Sequence, residues 1–86
     1  MTSREPVEEI RRLGAANAIG AIVLAEQVVD THVAGFANRA ERSLALDALF
    51  RDLARLRRRE PTLDGFITEI EGYLDSLHRD LVGLAA

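Results

Sequence analysis

The sequence predicts an all-α domain: three amphipathic helices in an antiparallel bundle, assembling into a homodimeric helical bundle. Three observations carry this. Apolar residues recur at alternating spacings of three and four along three stretches of chain, the period of a helix face. Turn-forming residues cluster between those stretches, around Gly35–Asn38 and Glu60–Asp64. The composition, 48% hydrophobic and 29% charged over 86 residues, is that of one globular domain with a small core.

The first helix is expected over about 6–36. Pro6 suits a first helical turn, and Glu8 and Glu9 complement the positive end of the dipole. From Ala15 the stripe Ala15, Ile19, Ile22, Glu26, Val29, Val33 and Phe36 alternates spacings of four and three, a heptad seam. Beside it runs a stripe of smaller residues, Gly14, Ala18, Ala21, Ala25, Val28, His32 and Gly35. Ile19, Ile22, Val23 and Leu24 together point in every direction around the axis, and a helix apolar on all sides must be surrounded. Flexibility at Gly14 or Gly20 allows a bend.

The second helix is expected over about 39–60. Asn38 and Glu41 have the spacing of a capping box. Leu46, Leu49, Phe50, Leu53 and Leu56 form its apolar face, and Arg57, Arg58 and Arg59 close it ahead of Pro61. The third helix is expected over about 63–84, with the seam Leu63, Ile67, Ile70, Leu74, Leu77, Leu81 and Leu84. Short connections make neighbouring helices antiparallel.

Composition narrows the function. The net charge of -3 argues against a nucleic-acid partner, which usually meets a basic excess. All eleven basic residues are arginine, and no cysteine is present, so disulfides, thiolate metal sites and cysteine nucleophiles are excluded. The opening residues do not read as a signal peptide. The uncharged run between Arg12 and Glu26 is shorter than the roughly 20 apolar residues that cross a bilayer, so no membrane insertion and a cytoplasmic location are expected.

Several groups of residues invite chemistry, each beside a plainer reading. Glu71, Asp75 and His78 share one side of the third helix, as metal-binding bundles arrange carboxylates and histidine, yet the paired Glu-x-x-His pattern is missing. A polar border to the seam is favoured; no metal and no cofactor are expected. His32 is expected to pack at a helix interface with its ring bonded to a carbonyl; the run His32-Val33-Ala34-Gly35 lacks the lysine that follows a phosphotransfer histidine. Arg51, Arg55 and Arg58, joined by Arg57 and Arg59, could hold phosphate or an acidic partner, but Asp47, Asp52 and Glu60 stand at pairing distance along the helix. The stretch from Arg59-Glu60-Pro61-Thr62-Leu63 through Glu69, Asp75, Leu77 and Arg79 resembles a helical hairpin of the PhoU phosphate-signalling family. Glu26 and Asp30 match the loose Glu-x-x-x-Asp spacing of that family's metal sites. The resemblance covers about a quarter of the chain, and membership is not assigned on it. Glu26 and Asp30 read instead as a polar notch that sets register.

The expected function is a non-catalytic interaction module, a small accessory, adaptor or scaffold subunit that self-associates or docks on a larger protein. The expected interface is Ala18, Ile19, Ala21, Ile22, Val23, Leu24 and Ala25. The alternative is a metal- or phosphate-handling bundle, PhoU-like or histidine-phosphotransfer-like, using Glu26, Asp30, Glu71, Asp75 and His78.

Overall fold

The structure, a computed structural model, describes residues 4–83 and is all-helical, with no strand among those residues. It contains four α-helices: α1 (Arg4–Ala16), α2 (Ala21–Ala34), α3 (Arg39–Arg59) and α4 (Asp64–Gly83), the last preceded by a 3-10 turn, Pro61–Leu63. The expectation of one helix over 6–36 is corrected here, because the chain reverses between Ala16 and Ala21. The body measures 38 × 23 × 18 Å.

The first helix carries Val7, Ile10 and Leu13 on one face, of which Val7 and Ile10 are buried and Leu13 half-buried. Its outer face is tied by Glu8 to Arg11 and Glu9 to Arg12, one turn apart. The helix ends where Asn17 enters the left-handed region at φ 50, a conformation that asparagine tolerates better than most residues. Gly20, at φ 78, completes the reversal. A straight helix would have pointed α1 away from the core; the turn lets its apolar face reach α2 and α3.

Ala21, Ala25 and Val29 form the buried stripe of α2, with Val28, His32 and Val33 half-buried beside it. The expected seam through Ala15, Ile19, Ile22 and Glu26 is therefore not the buried one: Ala15, Ile19 and Ile22 are exposed. Small residues face inward because α2 packs against α1, α3 and α4 at once, and large side chains would hold those helices apart.

The capping box of α3 forms. Asn38 Oδ1 accepts from the Glu41 N–H at 2.9 Å, while the Glu41 carboxylate accepts from the Ala37 N–H at 3.1 Å. Arg42 adds a bond to the Phe36 carbonyl, closing the α2–α3 link. Leu46, Leu49, Leu53 and Leu56 are fully buried against Ile67, Ile70 and Leu74 of α4. Burial fades along α4, where Leu77 and Leu81 are half-buried; Leu84 lies outside the described residues. No helix among the described residues is long and apolar enough to cross a membrane.

Candidate functional site

The reversal at Asn17–Gly20 places a set of large apolar side chains in solvent. Ile19 is 103% exposed, and Val23, Leu24 and Ile22 are 56%, 44% and 37% exposed. Ala18 is exposed with them. Ala21 and Ala25, expected at the same interface, are instead buried inside the chain's own bundle, at 7% and 0%. The physical reason is the extra helix: α1 folds back alongside α2, and the small-residue stripe serves that internal packing. Leu44 and Val82 are also exposed, at 58% and 62%, but as single residues on α3 and α4. Scattered apolar side chains are ordinary; four within six consecutive residues are not.

The band continues through Leu24 into a groove of about 520 Å³ between α1 and α2, walled by Leu13, Val28 and His32 and rimmed by Glu5 and Glu9. His32 stands half-buried with its ring edge against Phe36, centroids 5.2 Å apart. Its Nε2 is buried without a hydrogen-bond partner, contrary to the expected carbonyl bond. Burial pushes its pKa below the ordinary imidazole range, so the ring is neutral near pH 7.

The other candidate groups are engaged within the fold. Glu71 receives Arg57 from α3, whose guanidinium also reaches Asp64 at 2.7 Å and Thr68 at 3.1 Å. Asp75 pairs with Arg79, and His78 Nε2 lies 3.2 Å from Ser43 Oγ and 4.0 Å from Asp47. Glu71, Asp75 and His78 thus point to three different partners, and no group of three His, Asp or Glu among the described residues could hold a metal ion. Of the arginines of α3, Arg57 turns to α4 and Arg55 pairs with Asp52, while Arg51, Arg55 and Arg58 lie exposed along one side of the helix.

Asp30 accepts a 2.5 Å hydrogen bond from the Tyr73 hydroxyl, tying α2 to α4. That bond, burial and the nearby carboxylates of Asp30, Glu26 and Asp80 push the Tyr73 pKa up to about 12. Sequence reading found Glu26 and Asp30 as a polar notch but missed Tyr73. The available signal was its place between Ile70 and Leu74, beside the α4 seam.

No protein-family model matches the chain, and comparison with curated proteins and with solved structures returns no match.

Proposed function

We propose that this chain is a non-catalytic helical interaction module, a small accessory or adaptor subunit that works by self-association or by docking on a larger protein. The observation that carries the reading is the uncovered band Ile19, Ile22, Val23 and Leu24 at the start of α2. Fully burying one such side chain contributes on the order of 1.5–3 kcal/mol. Ile19 is wholly in water and the other three are 37–56% exposed, so the burial forgone is a few kcal/mol, still a substantial loss for a domain whose whole stability is about 5–15 kcal/mol. A partner surface that covers them recovers it.

The test is sedimentation equilibrium of the purified chain at micromolar concentration, paired with hydrophobic-dye binding. Association that weakens on Val23→Asp is the expected result; dye binding by a monomer, lost in that variant, indicates a band awaiting a different protein. Val23 is more than half exposed, so the substitution leaves the fold intact. A stable monomer that binds no dye refutes the reading.

A further inference from the structure

We infer that the link Asn17–Gly20 is a hinge, and that two copies of this chain exchange their α1 helices across it, each with α1 and α2 straightened into one continuous helix. The inference rests on the interaction reading above and names the occupant of the apolar band: the same segment of a second copy.

The first support is register. The spacing Ala15, Ile19, Ile22, Glu26, Val29, Val33, Phe36 runs through the break without losing its alternation of four and three. In the closed hairpin that seam is cut, with Ala15 and Ile19 turned to solvent. No proline interrupts Asn17–Gly20, alanine and isoleucine accept helical geometry, and asparagine and glycine each weaken a continuous helix by up to about 1 kcal/mol without forbidding it.

The second support is the link itself. It is four residues long, and both Asn17 and Gly20 are left-handed, at φ 50 and 78. Gly20 enters α2 through its carbonyl, which accepts from the Leu24 N–H at 3.0 Å. Short hinges favour exchange because every contact of the moved segment is remade on the partner, and opening also relieves Asn17 of its left-handed conformation; Gly20 holds its own without strain. Those contacts are substantial: Val7 and Ile10 are buried, and Gly14 lies under the Phe66 ring.

The third support is the content of the band. Large exposed side chains occupy the hinge and the turn after it, where two opened chains cross about a two-fold axis. Every residue from Leu13 to Ala25 is uncharged. A two-fold axis sets a patch against itself, so a charged patch would meet like charge; this one does not. Exchange therefore keeps the closed contacts and covers Ile19, Ile22, Val23 and Leu24 in addition.

The deciding experiment is isotope-filtered NMR on labelled and unlabelled full-length chains, unfolded together at equal amounts and refolded. Exchange places Gly14 of one chain against Phe66 of the other, so that contact crosses between labelled and unlabelled chains. Two hinge variants move the equilibrium in opposite directions. A Cβ at Gly20 meets nothing within 4 Å, so Gly20→Ala acts through the backbone alone, disfavouring φ 78 and favouring a continuous helix. It is expected to tighten dimerisation at least ~100-fold, counting both hinges. Asn17→Gly eases the closed turn and weakens the straight helix, loosening the dimer by about 10-fold. A dimer whose Gly14–Phe66 contact stays within each chain overturns the exchange while leaving the band as a face-to-face interface. If both the unmodified chain and Gly20→Ala are monomeric at NMR concentrations, the exchange is overturned and self-association with it.

Discussion

Gly14 of α1 sits directly beneath the Phe66 ring of α4: a Cβ at position 14 would stand 2.7 Å from Phe66 Cδ2 and 3.2 Å from Cγ. That approach is why the end of α1 carries a glycine despite its low helix propensity. Alanine at position 14 adds up to about 1 kcal/mol of helix propensity. Overpacking against the ring costs about 1–3 kcal/mol. Gly14→Ala is therefore expected to destabilise by roughly 1 kcal/mol in chemical denaturation. In a Phe66→Leu background the same substitution becomes neutral or stabilising. Equal effects in the two backgrounds would show that the contact carries no energy.

The core of α3 is unevenly exposed, and its leucines separate accordingly. Leu53 is fully buried, whereas Leu44 is 58% exposed. Leu53→Ala is expected to cost about 2–5 kcal/mol, a large part of the stability of so small a domain. Leu44→Ala stays within about 0.5 kcal/mol. Denaturant midpoints of the two variants measure this, and a comparable loss at both sites contradicts the packing described.

Tyr73 is the only tyrosine in the sequence, so its ionisation can be followed directly by ultraviolet absorbance. Its pKa is raised from 10.0 to about 12, chiefly by donating to Asp30. A raised folded-state value means that the unfolded chain loses its proton first. The associated stability is fully present below pH 10 and lost as pH rises through about 12. Asp30→Asn is expected to move the absorbance midpoint down toward 10, the ordinary tyrosine value, because the carboxylate charge is gone. A midpoint already near 10 in the unmodified chain would mean that the α2–α4 hydrogen bond does not form.

Much of the architecture was legible because it depends on local signals. The start of α3 follows from Asn38 and Glu41, which satisfy free backbone N–H groups within four residues of one another. Its end follows from Pro61, and the buried face of α4 from Leu63, Ile67, Ile70 and Leu74. The apolar surroundings of Ile19, Ile22, Val23 and Leu24 were equally plain from the absence of any charge between Arg12 and Glu26.

The sequence by itself determined that these segments are helical, where α3 begins and ends, and which side chains need burial. Only the tertiary structure decided that the first helical stretch is two helices, that Ala21 and Ala25 face inward, and that Asp30 meets Tyr73, 43 residues away. Capping and periodicity act over a few residues and are written in the local order of the chain. The reversal at Asn17–Gly20 is permitted locally, because asparagine and glycine accept left-handed geometry, but it is not compelled: a helix through those residues is also allowed. It forms where folding α1 back buries Val7 and Ile10 and seats Gly14 beneath Phe66, and that gain exists only once α3 and α4 are there to receive them.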